Sequence, residues 1–206
     1  MKLKTIYFLF LLLFMSWSCV PAQQEITESD STELASPRKE TTEKEEISLS
    51  KLVDSLSIHK KELWIKVCKS DYKLEVKHGD KTVKEFKIVL GYNPVGDKMM
   101  QGDYKTPEGI FKIRDKYPHR NWTYFMWVDY PTSESYKRFE ERKRTGKIPQ
   151  SAKIGGEIGI HGVPLGADHY IHQGINWTFG CVSLTTKHIK ELYDNIEIGA
   201  KVEIIP

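Results

Sequence analysis

Apolar and polar positions follow a regular pattern from about residue 49 onward. Apolar side chains at helical spacing between Leu49 and Leu56 predict a short helix that begins near Ser50. Residues 64–69, four of which are apolar, are predicted to form a strand. Residues 72–77 and 83–90 each alternate apolar and polar positions, and a Gly-Asp turn separates them. These two segments therefore predict an antiparallel pair of half-buried strands.

The second half of the chain continues this mixture of short elements. Thr186 is predicted to cap a helix that Gly199 ends, because apolar side chains from Ile189 to Ile196 recur at helical spacing. A Gly- and Pro-rich loop is predicted at 91–109, and a charged helix at 133–143. Strands are predicted at 110–114, 122–128, 157–161 and 201–205. The pattern as a whole predicts a mainly β domain with two or three short helices.

The beginning of the chain has a different character. Two lysines precede an apolar run over residues 6–17, which is shorter than the roughly 20 residues that span a bilayer. We therefore interpret residues 1–22 as an export signal. One interpretation is a lipobox-like site that makes a lipidated Cys19 the new N-terminus, and another is cleavage after Ala22. A third is an uncleaved anchor, and all three place the domain outside the cytoplasm, in the periplasm or cell envelope.

Charge divides the remaining chain into two parts. Residues 23–50 hold eight acidic and three basic residues and no aromatic residue, which predicts an acidic disordered tether. Residues 51–206 hold 26 basic and 20 acidic residues, and this length is ample for a single core. The net charge of +3 for the whole chain is too small to indicate nucleic-acid binding. A composition of 39% hydrophobic residues also excludes collagen-like, fully disordered and multi-span membrane classes.

Candidate chemistry centres on one cysteine and one histidine. Cys181 follows a glycine in a predicted loop, and His161 ends the predicted strand at 157–161. An imidazole next to a thiol removes its proton and activates it as a nucleophile. Cys68 lies within a predicted strand, where a cysteine usually behaves as a small buried hydrophobe. A disulfide between Cys68 and Cys181 is the alternative that the residue types leave open.

Three motifs in order carry a resemblance to a known family. His161-Gly162 and the run Thr178-Phe179-Gly180-Cys181-Val182-Ser183-Leu184 resemble the active-site signature of the YkuD-type L,D-transpeptidases. The segment 102–111 and the strand pair within 64–91 are also similar to that family. The likeness covers roughly residues 62–205. The loop at 95–98 resembles the murein L,D-transpeptidase-like branch, which includes hydrolytic members.

The resemblance implies a fold, a reaction and a set of site residues. The implied fold is a YkuD-like L,D-transpeptidase β-sandwich, and the implied role is in cell-wall organisation and cell shape. Cys181 would attack the L,D bond of a peptidoglycan tetrapeptide stem and form a thioester, with His161 as base and acid. The Gly162 carbonyl would orient the imidazole, and backbone N–H groups near Gly180 would hold the oxyanion. An amine acceptor, either a second stem or a protein terminus, would then take the acyl group.

Substrate contacts follow less directly from the same resemblance. The candidate substrate-binding residues are Thr178, Trp122, Tyr124, Trp177 and Ser183. The chain departs from the family pattern at two positions. Phe179 stands where many members carry histidine, and Ser183 stands where many carry Asn or Arg. These departures leave open whether the acyl group passes to an amine or to water, which would make the protein an L,D-carboxypeptidase or amidase.

The alternatives to this interpretation are a zinc peptidase and a non-catalytic cell-wall-binding module. His161, Asp168, His169 and His172 form a cluster that partly matches a zinc peptidase, but the downstream ligand pair is missing because His188 stands alone. We therefore predict no metal and no other cofactor. A non-catalytic cell-wall-binding module with the same fold would be expected to lack Cys181 or His161. The predicted partners are peptidoglycan stem peptides and not nucleic acid, with membrane contact only through a lipid on Cys19.

Overall fold

The computed structural model describes residues 46–206. The predicted export signal and most of the predicted tether lie outside these residues. Among the described residues, no helix is long and apolar enough to cross a membrane. The sequence places residues 23–50 in the tether, but helix α1 spans Leu49–Ser55 and its Ser48 side chain caps the first turn. The packed domain therefore begins a few residues earlier than predicted, because Leu49 is fully buried.

The described elements are short strands with a few helices between them. The strands are β1 (Leu63–Cys68), β2 (Lys73–His78), β3 (Lys81–Lys87), β4 (Gly109–His119), β5 (Thr123–Val128), β6 (Gly159–Gly162), β7 (Val182–Leu184) and β8 (Lys201–Ile205). The helices are α1, α2 (Ser133–Arg144), α3 (His169–His172) and α4 (Thr186–Asn195). This confirms the prediction of a mainly β domain. The four-residue α3 was missed because it lies within a Gly- and His-rich loop.

All eight strands belong to one sheet in the order β3-β2-β1-β8-β4-β5-β6-β7. Neighbouring strands are antiparallel except at β1–β8 and β6–β7, which are parallel. Val89, just after β3, pairs with Ser183 of β7, so the two ends of the sheet meet. The closed sheet surrounds a core that includes Ile65, Phe111 and Ile160.

Several element boundaries differ from the sequence prediction. Strand β4 continues to His119, beyond the predicted end at residue 114. The prediction stopped there because a bulge between Ile113 and Asp115 interrupts the alternation that marks a strand. The cap of α4 is Thr185, whose hydroxyl accepts the backbone N–H of His188, and Thr186 is the first helical residue. The helix ends at Asn195, four residues before Gly199, whose N–H donates to the Ile113 carbonyl.

Candidate active site

A cavity of about 420 Å³ lies where β6 and β7 meet the loops that precede them. It is lined by Tyr92, Trp122, Gly156, Glu157, Ile158, His161, Trp177, Thr178, Phe179 and Cys181. Both residues predicted to carry the chemistry therefore open onto one cavity. The parallel pairing of His161 with Ser183 explains this, because Cys181 lies just before β7. Cys181 and Cys68 are both free thiols, so the disulfide alternative is wrong.

The turn before Cys181 is held by the side chain of Thr178. The Thr178 hydroxyl donates to the Cys181 carbonyl at 2.7 Å and accepts the Gly180 N–H at 3.2 Å. Thr178 lines the cavity but is itself 5% exposed. Its hydroxyl is therefore occupied in fixing the backbone that carries the thiol.

Gly180 is required by the close approach of a neighbouring loop. Its φ of +135° lies in a region that residues with a side chain rarely adopt. A Cβ on Gly180 would lie 2.7 Å from the Lys105 carbonyl oxygen. The loop before β4 thus packs directly beneath the turn that precedes the thiol.

An ion-pair network fixes this loop to α2. The carboxylate of Asp97 accepts hydrogen bonds from Arg138 at 2.9 Å and from Arg142 at 2.5 Å. The other oxygen of Asp97 accepts the Glu108 N–H, and the Glu108 carboxylate pairs with the buried Lys69 at 2.8 Å. Lys69 is buried and the other charged groups are half-buried, so these paired charges favour one conformation of the surrounding backbone. The charged face of α2 therefore supports the loop that packs beneath Gly180.

Aromatic rings enclose the imidazole of His161. Trp122 stacks on it with ring centroids 4.6 Å apart, Phe125 lies parallel at 5.6 Å, and Trp177 meets it edge-on at 5.5 Å. His161 Nδ1 lies 2.7 Å from the Gly162 carbonyl, which accepts its hydrogen. Burial lowers the pKa of His161 to about 4, against a smaller opposing effect of the Gly162 hydrogen bond. The imidazole is therefore neutral at pH 7, and Nε2 carries the lone pair that is free to accept a proton.

The thiol of Cys181 is also neutral in this environment. Its Sγ donates to the Glu157 carbonyl at 3.5 Å. Burial raises the pKa of Cys181 to about 11, and a backbone hydrogen bond from Gly159 partly opposes the rise. Glu157 has a φ of +59°, which is uncommon for a residue with a side chain and marks local strain beside the sulfur. The pair is thus a thiol and an imidazole rather than a thiolate and an imidazolium.

The remaining predicted substrate-binding residues divide into two groups. Trp122 and Trp177 line the cavity as predicted. Tyr124 packs on Tyr193 of α4 with ring centroids 4.5 Å apart, and it is absent from the cavity wall. Ser183 is fully buried, and its backbone pairs with Val89. The structure therefore gives Tyr124 and Ser183 packing positions rather than positions against a ligand.

Three residues near the site were not predicted from the sequence. Phe125 lies directly across from His161 in the β5–β6 pair, so its ring covers the imidazole. Tyr92 and Glu157 lie in loops that only the tertiary fold brings to the cavity. The only sequence signal for Phe125 was the alternation of side chains within 122–128. That alternation was misleading because Trp122 lies before β5 and the turn at Thr123, with a φ of +60°, interrupts it.

The histidine-rich segment after β6 has a structural explanation. Asp168 accepts the backbone N–H of Thr186 at 2.7 Å and so ties this segment to the start of α4. His169 packs on Tyr170 with ring centroids 4.5 Å apart. Across residues 46–206, no group of three or more His, Cys, Asp or Glu side chains is placed to hold a metal ion.

Comparison with known proteins assigns the class of this domain. The family model of the L,D-transpeptidase catalytic domain (YkuD) matches residues 62–204. The chain therefore belongs to the YkuD L,D-transpeptidase family, as the motifs indicated. YciB of Bacillus subtilis (strain 168), provisionally named as an L,D-transpeptidase, is 28% identical over 153 residues, which are 71% of this chain and 68% of YciB.

Solved structures show the same fold. A mutant form of the helical cell shape determining protein Pgp2 from Campylobacter jejuni is 20% identical with a TM-score of 0.50, and the match covers 76% of this chain and 53% of that chain. Bd1075 from Bdellovibrio bacteriovorus is 22% identical with a TM-score of 0.47, covering 70% of this chain and 48% of that chain. This chain spans about half the length of these solved structures.

Proposed function

We propose that this protein is a cysteine L,D-transpeptidase that acts on the tetrapeptide stems of peptidoglycan. The observation that carries the proposal is the shared cavity of Cys181 and His161, with His161 Nδ1 fixed by the Gly162 carbonyl. Family membership supports a peptidoglycan-modifying enzyme. The cavity volume of about 420 Å³ suits a few residues of an extended peptide.

The first half of the reaction forms a thioester. Nε2 of His161 takes the thiol proton as Sγ of Cys181 attacks the carbonyl carbon of the third stem residue. Backbone N–H groups near Gly180 receive the negative oxygen. The tetrahedral adduct then breaks its C–N bond, and the imidazolium gives its proton to the leaving amine of the D-residue. Because both groups are neutral beforehand, proton transfer and attack occur together.

The second half returns the enzyme to its starting state. The amine of an acceptor attacks the thioester carbonyl and loses a proton to His161, and the C–S bond breaks. The sulfur recovers the proton as a thiol, so atoms and charge balance over the cycle. Water in place of the amine would give a shortened stem, which is the hydrolytic alternative.

The test is mass spectrometry of a defined tetrapeptide muropeptide incubated with the full chain. We expect cross-linked dimers with loss of the fourth residue, and no product with Cys181→Ala. Cys68→Ser is the matched control and should keep its activity, because Cys68 is a buried thiol at the end of β1. Tripeptide without dimers would establish a carboxypeptidase instead. Unchanged activity of Cys181→Ala would refute the mechanism.

We also propose that the protein acts outside the cytoplasm, in the periplasm or cell envelope. The support is the lysine-preceded apolar run of residues 6–17 in the sequence. Mass spectrometry of the N-terminus of the mature protein tests this directly. A lipid-modified Cys19 would establish a lipoprotein, and an N-terminus at Gln23 would establish cleavage after Ala22. An unprocessed chain in the cytoplasmic fraction would refute export.

A further inference from the structure

Three exposed aromatic side chains form a continuous surface at the mouth of the cavity. Tyr92, Tyr104 and Phe179 are 58%, 45% and 74% exposed. Their ring centroids lie 6.1 Å apart for Tyr92–Tyr104, 6.0 Å for Tyr92–Phe179 and 5.4 Å for Tyr104–Phe179. Exposed apolar groups that cluster in this way mark binding sites more often than scattered ones do. We call this cluster the aromatic platform.

The backbone beneath the platform is fixed. Tyr104 has a φ of +56°, an outlier for a bulky residue. The Asp103 carboxylate holds this conformation by accepting the N–H groups of Lys105 at 3.1 Å and Met99 at 2.6 Å. Tyr92 is tied to the active-site turn, because its N–H donates to the Thr178 carbonyl at 2.9 Å. Strain that is maintained at one exposed ring is a common mark of a functional site.

A polar groove of about 590 Å³ borders the platform on one side. Gln101 and Glu157 contribute hydrogen-bonding groups to it, and Tyr104 and Phe179 form its aromatic wall. Phe179 and Glu157 also line the cavity that holds Cys181. The groove and the cavity therefore share a wall, and one extended ligand is able to occupy both.

We propose that the aromatic platform and the polar groove form a saccharide subsite that binds the glycan to which the stem peptide is attached. This inference rests on the proposed function. A pyranose ring has an apolar C–H face and a polar edge of hydroxyl groups. The positively polarised C–H groups match the negative face of an aromatic ring, and the hydroxyl groups match the groove. Neither a lipid chain nor an apolar peptide would use the polar groove.

The reach of the substrate agrees with this assignment. The scissile carbonyl belongs to the third stem residue, so the sugar begins about 10 Å away along an extended peptide. Phe179 lies two residues from Cys181, which places its Cα within about 7 Å of the Cys181 Cα. The rings of Tyr92 and Tyr104 extend the surface beyond Phe179 by another 5.4–6.0 Å. A sugar that follows a stem bound in this direction is therefore within reach of the platform.

The test compares disaccharide-tetrapeptide with the free tetrapeptide as acyl donors for the full chain. We expect wild-type kcat/KM to be about fivefold or more higher for the disaccharide form, the scale of one aromatic contact. Tyr104→Ala and Tyr92→Ala should each reduce this ratio toward one. Tyr104→Phe, which keeps the ring, should preserve it. Tyr136→Ala is the matched control, because Tyr136 is 50% exposed on α2 and lines neither the cavity nor the groove.

Direct binding separates this proposal from the proposed function. Calorimetry with the Cys181→Ala protein measures the affinity for each muropeptide without turnover. Tighter binding of the disaccharide form, lost in the double variant with Tyr104→Ala, would support the subsite even if the wild type proved hydrolytic or inactive. Equal affinities for the two forms, or an equal loss for both in the tyrosine variants, would overturn it.

Discussion

The indole of Trp122 stacks on the imidazole of His161, with ring centroids 4.6 Å apart and planes inclined by 25°. The same indole also stacks on His119 with ring centroids 4.3 Å apart. Trp122 is therefore in contact with His161 and with a second, more exposed histidine. Removing it would admit water to a ring whose pKa is lowered mainly by burial.

We predict that Trp122→Ala raises the pKa of His161 from about 4 toward the ordinary value of 6.5. The charged form gains hydration once the indole is gone, so up to about a quarter of the imidazole becomes protonated at pH 7 and the fraction able to act as a base falls. NMR titration of the imidazole measures the shift. Trp64→Ala removes an indole from β1 instead and should leave the His161 pKa unchanged. An unaltered pKa in Trp122→Ala would mean that other groups exclude the water.

Alkylation of Cys181 should increase with pH without a plateau near neutrality. The pKa of Cys181 is raised to about 11, so the thiolate fraction rises about tenfold for each pH unit between 7 and 10. Iodoacetamide kinetics on Cys68→Ser, followed by mass spectrometry, measure this for Cys181 without a contribution from Cys68. A rate that levels off below pH 8 would instead indicate a preformed thiolate–imidazolium pair.

Gly180→Ala should inactivate the enzyme and lower its stability by about 2–3 kcal/mol. The new Cβ would lie 2.7 Å from the Lys105 carbonyl oxygen and would require a φ of +135°. Gly102→Ala is the matched control, since Gly102 also has a positive φ but has no atom within 4 Å of a Cβ. It should cost about 1 kcal/mol and keep activity. Equal losses in the two variants would show that the contact with Lys105 is unimportant.

Leu49→Ala should destabilise the domain by about 3 kcal/mol, whereas Leu56→Ala should change stability by less than about 0.5 kcal/mol. Leu49 is fully buried and its N–H donates to the Glu191 carboxylate at 2.6 Å, while Leu56 is 58% exposed. Urea denaturation monitored by tryptophan fluorescence measures both. Equal effects would place Leu49 outside the folded domain, as the predicted end of the tether at residue 50 implies.

The strands were predictable from the sequence, because they depend on local pattern. Alternation located β2 and β3, and spacing located α4. Paired motifs identified His161 and Cys181, which parallel strands then bring to one cavity. Features that depend on tertiary contacts were missed. Because of the turn at Thr123, the ring next to His161 is that of Phe125 and not that of Tyr124. No pattern in the sequence marks a positive φ in a threonine.

The boundary of the tether was also set by tertiary structure. Composition alone assigns Leu49 to an acidic segment, since most of its neighbours before residue 48 are charged or polar. Leu49 is buried only because α1 packs against α4 and the buried Lys84–Glu191 pair. Lys84 also donates to the Ile47 carbonyl at 2.8 Å. Residues 47–49, at the end of the predicted tether, are thus held against the domain by these hydrogen bonds.

The position of β8 has a consequence for how the domain acquires its structure. Residues 201–205 pair with β1 on one side and with β4 on the other. When the chain is synthesised from the N-terminus, β1 and β4 lack the strand between them until β8 arrives, and the two ends of the sheet are joined only by isolated bridges such as that between Val89 and Ser183. Contacts between distant parts of the chain form slowly. We therefore expect the pairing of β8 with β1 and β4 to be among the last steps that complete the sheet.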